Sequence, residues 1–381
     1  MNSIILRLGI ISFFGDISSE MLYPITPIFL TTVLGASMTS LGLIEGCAEA
    51  VASILKIYAG SWSDRIGKRK IFVVVGYLFA ALAKPMTGLA RVWPHILFAR
   101  SFDRVGKGLR TAPRDAMLSE SVTSEERGHA FGIHRAMDTA GAAIGPLIAI
   151  AFLTFYTGSL RTIYFLAFIP GLLSVVLATS IREKPPTTKI PVMTPWSWRT
   201  LPKPFRNYLI GWTLFSLTNS SDVFLLMRVR QSGASVTLMI LLYCFYNLFY
   251  ALLSPYFGKW SDRIPRKKVL SVGLVVFALV YLGFSMATEV WQFWLLFALY
   301  GVYMAATEGV GKALAVDLFD PKLKATAVGI IGMTTGIATV IASTFAGILW
   351  DHFGSTSAFI YGAGGALAAI LVLNRAVVTT Q

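Results

Sequence analysis

Long apolar runs, each broken by a short charged or Pro/Gly segment, recur along the whole chain. Read against that punctuation, spans are predicted at 8–33, 39–61, 71–90, 93–117, 129–153 and 160–181. A second set is predicted at 206–228, 235–258, 269–287, 291–316, 325–350 and 356–374. A helix needs about 20 apolar residues to cross the hydrocarbon core, and these runs meet that length. The pattern predicts an all-α membrane protein of twelve transmembrane helices. Residues 1–181 form one six-helix bundle and 206–381 another. Between them 182–205, REKPPTTKIPVMTPWSWRTLPKPF, is rich in proline and basic residues and reads as an extended surface linker.

Composition agrees: 55% of the 381 residues are hydrophobic and 14% charged, with a mean hydropathy of +0.67. A soluble domain has no place for so many long apolar runs. The first apolar stretch follows a single basic residue, Arg7, and is interrupted by Asp16 and Glu20 with no small-residue cleavage site after it. It is therefore expected to stay as a span and not to be removed as a signal peptide. Cys47 and Cys244 fall inside spans, where they act as small hydrophobes. No metal-spaced His or Cys set and no phosphate-binding glycine loop occurs, so neither a metal, a cofactor nor a nucleotide-driven motor is expected.

The net charge of +14 raises nucleic acid as a partner, but the placement of the charge points elsewhere. Most of the 33 basic residues lie in loops on the linker side and at the termini, including the runs Arg65–Lys70 and Arg263–Lys268. The opposite side holds only Arg91, Arg161, Arg228 and Arg230. Both termini and the linker are thus predicted to be cytoplasmic, in a multi-pass protein of a bacterial-type inner membrane.

The two halves share a repeat. GSWSDRIGKRK from Gly60 recurs as GKWSDRIPRKK from Gly258, an offset of 198 residues, each copy after the second span of its half. A weaker echo pairs RGHAFG, Arg127–Gly132, with KATAVG, Lys324–Gly329. Within the first copy Gly60, Asp64, Arg65, Gly67, Lys68 and Arg69 resemble the loop signature of the major facilitator superfamily, with Asp262 and Arg263 at the matching place in the second. That resemblance implies two six-helix bundles around a cavity lined by helices 1, 4, 7 and 10 that opens alternately to each side. It also implies a cytoplasmic latch at the signature loop: Asp64 at a helix N-terminus, where the dipole favours negative charge, and Arg65 paired with an acid of a neighbouring helix. Gly141, Gly145 and Pro146 resemble the helix 5 motif of drug/proton antiporters, although Ala149 and Ile150 replace the glycine pair that usually follows. The same three residues also fit close small-residue helix packing.

An ionisable residue facing lipid at mid-depth costs roughly 2.5–3.5 kcal/mol, so those within spans are expected to face protein or water. The first half carries the acids Asp16, Glu20, Glu45, Glu49, Asp103 and Asp138 and the bases Lys56, Lys84, Arg100, Arg104, Lys107 and Arg135. The second half has only Asp222, Glu308 and Lys312. Helical spacing groups Asp16 with Glu20, Glu45 with Glu49 and Lys56, and Arg100 with Asp103, Arg104 and Lys107. Glu20, Glu49, Arg104 and Asp138 fall near the midplane; Lys84, on a peripheral helix, is expected to snorkel outward. Either these charges neutralise one another in a structural network, or some pairs are incomplete in one conformation. In the second case a carboxylate takes up a proton, Glu20 near the middle of helix 1 ahead of Asp16, Glu49 or Asp138, or the basic stripe holds an anion. Arg100, Asp103, Arg104, Lys107, Arg135 and Glu308 are the candidate cavity residues. The tyrosines Tyr23, Tyr243, Tyr246, Tyr250, Tyr300 and Tyr303 read as packing or as ligand contacts.

The function expected is secondary active transport of a small organic solute by a monomer, coupled to protons and leaning to export. Uptake of a small organic anion, a carboxylate or a carboxylate-type metal chelate, is the alternative, since arginine forks suit carboxylates. A membrane receptor or an intramembrane enzyme is disfavoured: no signalling module fits the length, and no catalytic triad or metal-spaced set falls among the spans.

Overall fold

The computed structural model describes residues 3–121, 127–156, 159–181, 183, 198–319 and 324–376. Most of the predicted linker lies outside them. Every regular element among the described residues is helical. In chain order these are α1 (Ser3–Glu20), α2 (Thr26–Ile28) with a π-helical turn at Phe29–Val33, α3 (Met38–Ile66), α4 (Lys70–Gly88), α5 (Trp93–Glu120), α6 (Arg127–Phe155) and α7 (Arg161–Thr179). There follow α8 (Lys203–Ser216), α9 (Val223–Gln231), α10 (Val236–Ser261), α11 (Arg266–Met286), α12 (Val290–Asp317), α13 (Lys324–Phe353) and α14 (Ser355–Ala376).

Nine of these helices are long and apolar enough to cross a membrane. The three segments that fall short do so for physical reasons. α1 carries Arg7, Asp16 and Glu20 and stops before the break ahead of α2; α5 carries a charged stripe along its length; and α8 and α9 are the two parts of an interrupted span. Only if those three are counted as spans do six precede the linker and six follow it, as the pattern predicts. Large apolar side chains such as Phe155, Leu279, Met286 and Leu371 are exposed along the spans, as a lipid-facing surface requires.

The chain divides into two compact units, Met1–Ala36 with Cys47–Thr194 and Ser37–Gly46 with Pro195–Gln381. In the first, α1 packs on α6 and α7, and α4 packs on α5 and α7. Ile5, Leu8, Ile11, Val73, Tyr77, Leu118 and Ala178 fill the core between them. Gly141 and Gly145 let α6 lie directly on α1. A Cβ at Gly141 would sit 2.4 Å from the Phe13 carbonyl oxygen, and one at Gly145 would sit 2.8 Å from that of Ile17. These contacts are backbone, so they cannot yield as a flexible side chain would.

In the second unit α12 packs between α10 and α11, and α14 lies on α11 and α8. Its core is aromatic: Phe277 stacks on Tyr281 with ring centroids 4.0 Å apart, and Phe284 meets Phe297 edge to face at 5.4 Å. The first turns of α3 belong to this unit. Asp351 near the end of α13 accepts hydrogen bonds from the amides of Met38 (3.0 Å) and Thr39 (2.8 Å), which α3 itself leaves without partners. The turn before α3 uses Gly35 at φ +62° and the turn before α10 uses Gly233 at φ +86°, positions separated by the same 198 residues as the sequence repeat.

Candidate functional site

α5 positions most of the candidate residues. It runs to Glu120, a little beyond the predicted end at 117, and the stripe of Arg100, Asp103, Arg104 and Lys107 continues on it through Arg110 and Arg114. Asp103 is buried and ion-paired to Lys84 of α4 at 2.9 Å, and the same ammonium donates to Ser19 Oγ at 3.2 Å. The expectation that Lys84 snorkels outward is therefore corrected: it points into the bundle, because Asp103 offers a charge partner there that lipid cannot. Arg104 Nε is buried with no hydrogen-bond partner among the described residues, and so is one terminal nitrogen of Arg110. The Arg110 guanidinium lies 4.2 Å above the centre of the Tyr77 ring. Lys107 and Glu49 are exposed; Arg104, Glu49, Asp16 and Arg110 are the charges that act on Lys107.

On the α1 and α6 side, the Asp16 and Asp138 carboxyl groups lie within hydrogen-bond reach of each other, with Glu20 nearby. Around the pair runs a polar network. Ser12 Oγ lies 3.0 Å from Tyr77 Oη and 2.9 Å from His134 Nε2, and it accepts from Arg114 at 3.0 Å. Arg114 also stands 4.0 Å from Asp138 and 3.0 Å from Asp115. The structure thus brings together Asp16, Glu20 and Asp138. Lys56 is exposed, Glu45 is buried in the second unit, and the Arg135 side chain lies outside the described residues.

Ser12, Tyr77, Arg110 and Arg114 were not singled out by the sequence reading. The signal was present as spacing. Arg100, Lys107 and Arg114 recur every seven residues, so one face of α5 is basic from Arg100 to Arg114.

At the signature loop Gly67 takes φ +67° and turns the chain from α3 into α4. Arg65 is exposed. The pairing expected of it belongs to Arg69, which is buried, ion-paired to Glu120 at the end of α5 and hydrogen-bonded through its amide to Glu183. The Asp64 side chain lies outside the described residues. The second copy makes a similar bond from the neighbouring position: Arg266, which the offset places on Lys68, reaches Asp317 at the end of α12 at 3.3 Å and Asp262 at 3.1 Å, while Arg263 is exposed. In that unit Glu308 pairs with Lys312 at 2.9 Å and accepts from the Tyr250 hydroxyl.

Two repeated bundles of long apolar helices, with ionisable groups gathered between the helices, have the make-up of a helical membrane transporter. The Major Facilitator Superfamily model matches residues 8–232 and 208–380, and the chain belongs to that family. An uncharacterized MFS-type transporter of Methanocaldococcus jannaschii is 37% identical over 372 residues, 96% of this chain and 93% of that one. The multidrug resistance protein MdtH of an Enterobacter strain is 24% identical over 341 residues, 86% of this chain and 82% of its own. Among solved structures, the nucleoside transporter NupG superposes with a TM-score of 0.82 at 13% identity, covering 99% of this chain and 100% of that one, a likeness of fold.

Proposed function

We propose that the chain exports a small organic solute by proton antiport, acting as a monomer in a bacterial-type inner membrane with both termini cytoplasmic. The Asp16 and Asp138 pair is the proton carrier. The observation behind this reading is the approach of those two carboxyls, one from α1 and one from α6, with Arg114 close to Asp138 and the Arg110 charge acting on Asp16. A change in the distance between α1 and α6, or in the water around them, alters whether the pair holds a proton. That is what coupling to a pH gradient needs. The relative named as a multidrug resistance protein supports the direction. The test uses proteoliposomes with the cytoplasmic face outward and an acidic lumen. Proton-coupled ethidium uptake above that of empty liposomes supports the reading, and a wholly gradient-insensitive flux overturns it.

A second reading is supported by Arg104 Nε and the Arg110 nitrogen, buried donors with no partner among the described residues. Donors left this way cost about 1–3 kcal/mol each, a cost that a carboxylate solute removes. Uptake of labelled succinate that Arg104→Ala abolishes would favour organic-anion import over cation export.

A further inference from the structure

The interrupted spans of the two units break at corresponding positions. α1 ends at Glu20 and helix resumes at Thr26; α8 ends at Ser216 and helix resumes at Val223. Shifted by the repeat offset of 198, Met21 falls on Asn219 and Pro24 on Asp222. Paired discontinuities of this kind in the two halves of a transporter mark places where polar groups face a ligand.

In the second unit the broken backbone is itself satisfied. The Leu217 carbonyl accepts from the Tyr361 hydroxyl at 2.6 Å, and the Ser221 amide donates to Ser343 Oγ at 3.1 Å. Asp222 accepts from the Tyr246 hydroxyl at 2.8 Å and from that of Tyr300 at 2.5 Å. Asn219 donates through Nδ2 to the Tyr303 hydroxyl at 3.2 Å, while its Oδ1 is buried with no hydrogen-bond partner among the described residues. The rings form a wall: Tyr246 meets Tyr300 edge to face at 5.3 Å, and Tyr300 lies 5.3 Å from Tyr303.

We infer that the break at Leu217–Asp222 is a binding site for an organic ammonium group. The inference specifies a substrate class for the transport reading above, and rests on that reading. The chemistry converges on a cation that carries N–H donors. Asn219 Oδ1 is an acceptor awaiting a donor, the Asp222 carboxylate supplies negative charge, and tyrosine faces attract cations. An anion would meet the carboxylate and the π faces, both repulsive to it. The tyrosines that hold Asp222 fix the carboxylate in place, so little ordering is required when the ammonium arrives.

The test is binding to the purified full-length protein by titration calorimetry. The probes are phenethylammonium, its N,N,N-trimethyl analogue, which keeps the charge and loses the donors, and 3-phenylpropionate. Expected is saturable binding of phenethylammonium, weaker binding of the trimethyl analogue and none of the carboxylate. Asn219→Ala weakens phenethylammonium at least threefold and leaves the trimethyl analogue within twofold, and Asp222→Asn weakens both about tenfold or more. Should Asp222→Asn fail to fold, the comparison of the two ammonium probes on wild type and Asn219→Ala decides alone. Preference for the carboxylate, no ammonium binding, or equal loss of both probes in Asn219→Ala overturns the site. Binding is scored at a single pH with no gradient, so it reports on the Asn219 and Asp222 site and not on proton coupling. Loss of this site and loss of proton coupling are therefore read separately.

Discussion

Lys84 on α4 and Asp103 on α5 form an ion pair of 2.9 Å with both side chains less than a tenth exposed. Removing one partner strands the other charge in a low-dielectric interior, at a cost of about 3–5 kcal/mol. Lys84→Met alone is expected to lower the Tm of the purified protein sharply and to reduce its yield. The double variant Lys84→Met, Asp103→Leu, which removes both charges, is expected to recover most of that loss. A double variant as unstable as the single one contradicts the pairing.

Gly141 and Gly145 give a prediction that separates packing from a signature role. An added Cβ would press on the backbone of α1 at 2.4 and 2.8 Å, whereas one at Gly332 would meet nothing within 4 Å. Gly141→Ala and Gly145→Ala are expected to destabilise by about 1–3 kcal/mol each, and Gly332→Ala to be neutral in this respect. Thermal unfolding in detergent measures both. Unchanged melting of Gly141→Ala would show that α1 and α6 do not lie this close.

Arg69, not Arg65, holds the signature loop. Exchange of charge, Arg69→Glu with Glu120→Arg, is expected to restore part of the expression that Arg69→Glu loses, and Arg65→Ala to leave the melting temperature near that of wild type. Glu120 is half-exposed, so the effect is read as a rescue pattern and not as a large stability change. Absence of any rescue removes the pair from the account.

A reporter active only in the cytoplasm tests orientation. It is expected to be active when inserted after Pro186, in the basic linker, and inactive after Ser37, in the turn before α3. The reversed result overturns the placement of the termini.

The spans and the repeat could be read from the chain because apolar runs and basic loops are local signals. Pairing was not local. Asp103 was grouped with Arg100 and Arg104 on its own helix, but its ion-pair partner is Lys84 across the α4 and α5 contact, which spacing along α5 does not reveal. The contact of Asp16 with Asp138 likewise depends on α6 lying on α1. Arg110 and Arg114 lie inside the predicted span 93–117 but were not grouped with its charges, although α5 carries them on the same helix. The break at Met21–Ile25 leaves no mark in hydropathy, since its own residues are apolar, whereas Thr218–Asp222 is a polar run inside the span predicted at 206–228 that was not read as a break.

The central claim is that Asp16 and Asp138 carry the coupling proton. The direct measurement is ethidium flux in proteoliposomes, scored once under an imposed pH gradient and once as counterflow at equal pH, for wild type, Asp16→Asn, Asp138→Asn and Glu20→Gln. A shared proton predicts that Asp16→Asn and Asp138→Asn lose gradient-driven flux at least tenfold and keep counterflow within about twofold. Full gradient-driven flux in both Asp16→Asn and Asp138→Asn, or its loss in Glu20→Gln alone, would contradict it.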